Sequence, residues 1–201
     1  MTLFDLGEIS GATPLDDISG LKLSWVDSRE KLDAAEADNI RLAINKYLSR
    51  KRYAFPMWFT VSHINQVHKL MFSKTWQWAG QYRKTYKSVG IQSYKISVEM
   101  LKLEEDIRFW GDKKSYSPLE TAARVHHRLV WIHPYENGNG RHARMIGDMV
   151  LRAFGHPYIA WPGLNEHGNE RKLYIQALKE ADHGDILPLL EFLMQHTSSK
   201  K

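Results

Sequence analysis

The sequence predicts a mainly α-helical domain that carries one small β-hairpin. Over most of the chain, apolar residues recur at intervals of three and four, the spacing of an amphipathic helix. Helix-end signals agree: Ser117-Pro118-Leu119-Glu120 combines an N-cap serine, a first-turn proline and a capping-box glutamate, and Gly155-His156-Pro157 is typical of a C-terminal stop. Only residues 82–97 are rich in the aromatic and β-branched residues of strands, and Gly90 offers them a turn.

Composition places the chain among ordinary globular proteins and narrows its chemistry. At 201 residues, with 43% hydrophobic and 25% charged residues, it fits one domain with a sizeable core. The absence of cysteine excludes disulfides, thiol nucleophiles and thiolate metal sites. The net charge of +5 and the pI of about 9.3 favour a solvated basic surface over specific nucleic-acid binding. The N-terminus lacks a signal-peptide pattern, and no apolar run approaches the ~20 residues that span a membrane, so we expect a cytoplasmic protein without a membrane partner.

The first elements expected are an irregular arm and two helices. Residues 1–26 contain scattered glycine, proline and aspartate, which predicts an arm packed over the domain rather than a helix. Asp27 followed by Glu30 marks a helix start, and the helical pattern then continues to about Arg50. A second helix is expected from near Ser62.

Helical patterns also fill the chain after the 82–97 segment. Further helices are expected to begin at Ser97 and Ser117, and a late one covers residues 171–182. The tail, residues 196–201, is predicted to be disordered. With no internal repeat and no linker, residues 27–195 are expected to form one domain.

A loop between two helical patterns, residues 133–144, is the candidate functional site. Gly138 and Gly140 flank Asn139 in this loop, so the backbone can take positive φ and turn its N–H groups toward one point. Together with the positive end of the following helix, such N–H groups form an anion site.

Charged and titratable side chains accompany this anion site. Arg141 and Arg144 are three residues apart, so on a helix both can reach the same anion. His133 lies at the lip of the loop. A proton-transfer group beside a phosphate cradle indicates phosphoryl or nucleotidyl transfer.

The same residues closely resemble the signature of the Fic (Fido-fold) family, His-x-Phe-x-(Asp/Glu)-Gly-Asn-Gly-Arg-x-x-Arg. The matching positions are His133, Gly138, Asn139, Gly140, Arg141 and Arg144. Tyr135 stands in place of the phenylalanine, and Asn137 stands in place of the acidic residue. The stretch is also similar to the subgroup labelled "mobile mystery protein B", whose motif tends to read Asn-Gly-Asn-Gly-Arg-His-Ala-Arg. Weaker resemblance runs from about Leu32 to Phe192, and it implies a Fido-type helical bundle with a β-hairpin flap beside the active-site loop.

The resemblance implies a reaction, the transfer of AMP from ATP to a Ser, Thr or Tyr hydroxyl of a target protein. In that reaction His133 would act as general base. The Gly138–Arg144 segment would hold the phosphates, with Arg141 at the β-phosphate and Arg144 at the γ-phosphate. Such an activity implies a protein substrate that bears a hydroxyl.

A divalent ion, Mg²⁺ or Mn²⁺, is a further implication of the resemblance. It would bridge the α- and β-phosphates and stabilise the leaving pyrophosphate. The acidic residue of the family holds this ion, whereas Asn137 offers only a neutral amide oxygen, a weaker ligand for a hard cation. The residue at this position therefore leaves open the affinity for the metal ion, the rate of transfer and the identity of the donor substrate.

The predicted hairpin corresponds to the segment that pairs with the target backbone in Fic proteins. Its candidate target-binding residues are Lys87, Ser88, Val89, Gly90 and Ile91. Edge pairing of this kind recognises an extended segment through main-chain hydrogen bonds. The alternative is an exposed hairpin without a role in recognition.

A regulator is the last implication of the resemblance. Some Fic proteins are held inactive by a helix with (Ser/Thr)-x-x-x-Glu-(Gly/Asn), whose glutamate pairs with the second motif arginine. Glu36 is the candidate here, but its neighbours match neither flanking position, so an exposed helix glutamate is the favoured interpretation. Inhibition would then come from a separate protein or be absent. Similar proteins are often bacterial toxins, which implies an antitoxin or helix-turn-helix partner.

Three alternatives to AMP transfer are open at this point. Asn137 is compatible with a catalytically weakened module that only binds a nucleotide or a partner, although retention of His133 argues against that. The anion cradle would also serve the transfer of UMP, phosphate or phosphocholine. A metal-dependent nuclease built from His133, Asn139 and His142 is disfavoured, because both flanks of the loop are helical and a carboxylate is missing.

Overall fold

A computed structural model describes residues 18–49, 53–161 and 168–197, so the predicted arm up to residue 17 and the tail from residue 198 lie outside the described residues. Within these ranges the mainly α-helical prediction is confirmed. The seven α-helices are α1 Arg29–Tyr47, α2 Val61–Phe72, α3 Ile96–Lys113, α4 Pro118–Ile132, α5 Asn139–Ala153, α6 Asn169–Asp182 and α7 Leu187–Gln195. No helix in the described part of the chain is both long enough and apolar enough to cross a bilayer.

Local capping chemistry explains where the first helices begin. The side chains of Ser28, Thr60 and Ser117 each accept a hydrogen bond from a first-turn N–H, at α1, α2 and α4 respectively. At α4 the serine accepts from Glu120 N at 3.2 Å, and Pro118 occupies the first turn as the sequence predicted. The N-terminus of α3 differs: a 3₁₀ turn, Ser93–Lys95, precedes it and no side chain caps it.

Helices α4 and α5 form the centre of the fold. They pack against each other, and α3, α6 and α7 surround α4 while α2 packs on α5. Both helices bury continuous apolar stripes: Ala122, Val125, Leu129 and Ile132 on α4, and Met145, Ile146, Met149 and Val150 on α5. Replacement of the buried Leu129 by alanine would cost about 2–5 kcal/mol through lost burial and the cavity left behind. The short loop between these two helices, residues 133–138, is therefore held on both sides by the core.

The segment of residues 18–26 is irregular and lies along the turn that follows α2. Leu21 forms an isolated antiparallel bridge with Trp76. The Lys22 N–H donates to the Thr75 carbonyl at 2.9 Å, and the Gln77 N–H donates to the Gly20 carbonyl at 2.8 Å. These bonds join the segment to the domain.

The predicted β-hairpin does not form. Residues 82–92 contain no strand, and the isolated bridges in the described chain lie elsewhere. The physical reason is Arg83, whose buried guanidinium donates to the Thr85 carbonyl at 2.9 Å and also to the Ile91 carbonyl. A side chain therefore takes backbone acceptors that a paired strand would need. The result is an irregular loop, residues 84–92, which we call the cover loop.

Candidate active site

The motif loop makes a sharp turn at each of its ends. His133 caps the C-terminus of α4 with φ of 53°, and Gly138 caps the N-terminus of α5 with φ of 79°. At Gly138 an added Cβ would lie 2.4 Å from the Phe72 ring, so both conformation and space require glycine there. Gly140 differs from the prediction: it lies within α5, and nothing stands within 4 Å of where its Cβ would be. The backbone beside Gly140 is open to a ligand.

The predicted phosphate residue Asn139 is used by the loop itself. Its Oδ1 accepts from the Tyr135 N–H at 2.9 Å, and its Nδ2 donates to the Tyr135 carbonyl at 2.8 Å. Asn139 is 1% exposed. Its side chain fixes the loop shape, while its backbone N–H belongs to the first turn of α5, where N–H groups lack helical acceptors.

His68, a buried residue of α2, supports the same loop. Its Nδ1 accepts from the Gly80 N–H at 3.0 Å, so the proton lies on Nε2, which donates to the Asn137 carbonyl at 3.0 Å. Burial holds the pKa of His68 well below its ordinary value, so the ring is neutral. The ring stacks on Tyr135 with centroids 3.6 Å apart. This role depends on partners distant in sequence, and the apolar stripe of α2 carries no signal for it.

His133 lies buried beneath the cover loop. Burial, together with the positive charges of Arg83 and Lys87, lowers the pKa of His133 to about 4. Arg83 also donates from Nε to the His133 carbonyl at 2.7 Å. The imidazole is therefore neutral at pH 7 and able to accept a proton.

The cover loop is held directly against His133. A Cβ added to Gly90, where φ is 85°, would lie 2.2 Å from the His133 Cβ. Lys87 forms an ion pair with Glu136 at 3.2 Å, and the Thr85 hydroxyl lies 3.1 Å from each oxygen of that carboxylate. The structure thus brings the predicted target-binding segment to the predicted base, through a loop rather than a hairpin. Glu136, at a variable position of the motif, binds Lys87 and Thr85 and so holds the cover loop in place.

The donors near Asn137 do not build a magnesium site. Its Oδ1 accepts from the Gly138 N–H at 2.6 Å, and its carbonyl accepts from His68. The neighbouring Glu136 carboxylate is occupied by Lys87 and Thr85. Among the described residues, no three metal-binding side chains cluster. A hard divalent cation needs charged oxygen ligands, and this position supplies only a neutral, already bonded amide oxygen.

Glu36 contacts the motif, contrary to the prediction of an exposed glutamate. It is 1% exposed, and its Oε2 lies 2.6 Å from the Arg141 Nη1. Its Oε1 accepts from the Trp76 indole N–H at 2.6 Å. Its partner is the first motif arginine rather than the second one expected of an inhibitory glutamate. The guanidinium of Arg141 also lies 5.1 Å from the Phe72 ring centroid.

Arg144 lies in a different environment from Arg141. Its guanidinium is 5.8 Å from the Trp161 ring centroid, and it hydrogen bonds the Tyr174 side chain. Burial lowers the pKa of Arg144, and the nearby Arg141 contributes in the same direction. That the two arginines act on one anion, as their spacing predicts, stays a prediction.

Comparison with known proteins decides the family. Residues 58–151, which contain the whole motif loop, match the Fic/DOC family. Residues 58–151 are a Fic/DOC family domain. A protein adenylyltransferase Fic of Nematostella vectensis is 30% identical over 142 residues, which cover 69% of this chain and 32% of that protein. The protein adenylyltransferase fic-1 of Caenorhabditis elegans is 29% identical over 60% of this chain and 23% of that protein. The chain thus spans a third or less of the length of these curated relatives.

Solved Fic structures share the fold of this Fic domain. The BepC protein of Bartonella tribocorum, determined with bound AMPPNP, aligns with a TM-score of 0.67 over 92% of this chain and 96% of that chain, at 21% identity. The Fic-1 structure from C. elegans aligns with a TM-score of 0.64 over 84% of this chain and 48% of that chain, at 22% identity. At these identities the likeness concerns the fold.

Proposed function

We propose that this Fic domain is a protein adenylyltransferase, which transfers AMP from ATP to a Ser, Thr or Tyr hydroxyl of a target protein. The observation that carries the proposal is the position of His133, a neutral buried imidazole at the start of a loop that leads into the N-terminus of α5 and its two arginines. The names of the curated relatives and the AMPPNP bound to BepC support the same reaction.

Different residues of the site carry out proton transfer and stabilise the charge of the phosphates. His133 accepts the proton of the target hydroxyl as its oxygen forms a bond to the α-phosphorus, while the bond from that phosphorus to the bridging oxygen of pyrophosphate breaks. In the free protein the pKa of His133 is about 4. The negative triphosphate placed beside it would raise that pKa and make the imidazole a better base.

The N-terminus of α5 forms the proposed phosphate cradle. Its first helical bond runs from the His142 N–H to the Gly138 carbonyl at 2.9 Å, so the N–H groups of residues 139–141 have no helical acceptor. The helix dipole favours an anion at this end. We assign the β-phosphate to Arg141 and the γ-phosphate to Arg144, as the resemblance implies.

The divalent ion is proposed as part of the substrate. Mg²⁺ or Mn²⁺ would enter with ATP as a chelate of its phosphates, because Asn137 contributes at most one neutral oxygen. The proposed roles of His133, Arg141 and Arg144 do not require direct contact with the ion.

The cover loop is the proposed target-binding segment. Residues 87–91 lie against His133, so a target backbone that contacts them would present its hydroxyl to the imidazole. The resemblance also supports a bacterial, cytoplasmic protein with an antitoxin or helix-turn-helix partner and membership in the "mobile mystery protein B" subgroup.

The test is transfer of label from α-labelled ATP, with Mg²⁺ or Mn²⁺, to proteins of a cell lysate. The variant His133→Ala is compared with His127→Ala, a matched control whose histidine bonds the Asp182 side chain of α6 at 2.8 Å. The proposal expects a labelled band with the wild type and the control and none with His133→Ala. Label from γ-labelled ATP or from UTP would instead indicate transfer of phosphate or UMP. Tight ATP binding without any labelled band would indicate a nucleotide-binding module and overturn the proposal.

A further inference from the structure

Asp148 is a buried carboxylate that the proposed transfer does not use. It lies on α5 one turn after Arg144 and is 6% exposed. A buried carboxylate is unfavourable unless its oxygens are hydrogen bonded. Both are: Oδ1 accepts from the Ile159 N–H at 3.0 Å, and Oδ2 accepts from the Trp161 indole N–H at 3.0 Å. Asp148 therefore fastens the segment of residues 159–161 to α5.

The chemistry of these two partners requires two oxygen acceptors. Both groups that face Asp148 are N–H donors, so the side chain must offer two acceptors. An asparagine would present its oxygen to one donor and its NH₂ to the other. Replacement by asparagine would keep the size of the residue and still lose one of the two bonds.

The fastened indole forms one wall around Arg144. Trp161 lies 5.8 Å from the guanidinium and meets Tyr174 edge to face at 6.2 Å between ring centroids. Tyr174 in turn bonds Arg144 and places its hydroxyl 2.8 Å from His126 Nε2. The guanidinium is thus enclosed by an indole and a phenol. Among the described residues no carboxylate forms an ion pair with Arg144, in contrast to Arg141 with Glu36.

We infer that Asp148 is a positioning residue for Arg144: by anchoring Trp161, it holds the guanidinium where it binds the terminal phosphate of a nucleoside triphosphate. The inference rests on the proposed function, which places the γ-phosphate at Arg144. Because the γ-phosphate is the group that ATP has and ADP lacks, Asp148 determines the preference for ATP over ADP.

The experiment is calorimetric titration of ATP and of ADP, without lysate, into the wild type and the variants Asp148→Asn and Trp161→Phe. We expect ATP to bind about tenfold more weakly to Asp148→Asn than to the wild type, because the charge-assisted contact between Arg144 and the γ-phosphate is lost. The affinity for ADP should be unchanged. Trp161→Phe keeps an aromatic side chain and loses the indole N–H, so it should show the same selective effect. Asp182→Asn, which alters the exposed carboxylate beside His127, is the matched control and should behave as the wild type.

A double-mutant cycle identifies the residue through which Asp148 acts. If it acts through Arg144, the pair Asp148→Asn and Arg144→Ala should bind ATP no more weakly than Arg144→Ala alone. In the transfer assay, Asp148→Asn should raise KM for ATP and leave kcat unchanged. Trp161→Phe, which leaves the buried carboxylate in place, provides the same test if Asp148→Asn does not fold.

Two results would overturn the inference while leaving the proposed function intact. One is an equal loss of ATP and ADP affinity in the variants relative to the wild type, which would mean that Asp148 has only a general structural role. The other is an ATP affinity that equals the wild-type value in both variants. A wild type that binds neither nucleotide would instead overturn the proposed donor, and the inference with it.

Discussion

The carboxylate of Glu36 and the guanidinium of Arg141 form an ion pair with 2.6 Å between Oε2 and Nη1, and Glu36 is 1% exposed. The pair joins α1 to the first turn of α5, where the phosphate cradle is proposed. Because Trp76 fixes the other carboxylate oxygen, Glu36 cannot follow the arginine if it moves. The contact therefore sets the direction in which Arg141 points.

The first prediction concerns this pair. Glu36→Gln keeps the bond from Trp76 and removes the charge, so Arg141 loses its orientation and transfer of labelled AMP should fall. Arg141 is partly exposed, so solvent screens its attraction to Glu36. We therefore expect the free energy of unfolding to fall by about 1–2 kcal/mol. Urea denaturation and the labelling assay measure the two effects, with the exposed Glu30→Gln of α1 as control. A rise in transfer would identify Glu36 as inhibitory instead.

The helical fold could be predicted because its determinants are local. The residues that form a cap, such as Ser117 and Glu120, are close in sequence. The apolar stripe of α4 likewise lies within one helix. The motif loop was predictable for the same reason, since its residues are contiguous. Glu36 was misjudged because its partners come from distant segments. A signal did exist, since Leu32, Glu36, Ala43 and Tyr47 all lie on the buried face of α1.

The cover loop shows where local propensity fails. Its aromatic and β-branched residues favour strand, but Arg83 is 2% exposed and takes the carbonyls that a strand pair would use. A charged residue is expected at the surface, so the sequence gives no sign of this arrangement. The support that His68 gives to Asn137 is equally non-local, because it needs the Gly80 turn to fix the tautomer.

The second prediction is that Arg83→Lys releases the cover loop. Lysine keeps the charge but lacks the planar fork that bonds the carbonyls of Thr85, Ile91 and His133 at once. We expect faster proteolytic cleavage within residues 84–92, a loss of target labelling and retained ATP binding. Arg108→Lys, at an exposed surface ion pair, is the control. If labelling persists at the wild-type rate, the loop has no part in holding the target.

The third prediction concerns the metal. Asn137→Asp adds a charged oxygen next to the proposed phosphates, while the first oxygen can still accept from Gly138. We expect a faster transfer rate and half-saturation at a lower Mg²⁺ concentration, because a carboxylate is the better ligand for a hard cation. Titration of Mg²⁺ in the labelling assay gives both values. An unchanged Mg²⁺ requirement would show that the ion is held by the nucleotide alone in either protein.

The fourth prediction concerns the protonation of His133 in the free protein. Burial under the cover loop lowers the pKa from 6.5 to about 4, so the imidazole stays neutral until the pH falls toward 4. An NMR titration of the histidine ring protons, assigned with His133→Gln, should place the midpoint near pH 4. A midpoint near 6.5 would mean that the loop does not cover the imidazole in solution.

The fifth prediction is a pH dependence of stability that originates in Asp148. Burial raises the pKa of this carboxyl from 3.8 to about 7 in the folded protein. Between these two values the folded state binds the proton that the unfolded state has lost, so the group stabilises the fold at low pH and this contribution is lost as the pH rises toward 7. The total change is about 4 kcal/mol at most.

The measurement is the difference in unfolding free energy between the wild type and Asp148→Asn, from urea denaturation between pH 4 and pH 8. The advantage of the wild type should decline steadily over this range and level off above pH 7. The buried His126 and His142, with pKa lowered to about 3 and about 4 by burial, act in the opposite direction below pH 6.5. They are present in both proteins and cancel in the difference. A difference that does not vary with pH would mean that Asp148 is ionised throughout and that the bonds from Ile159 and Trp161 fully offset its burial.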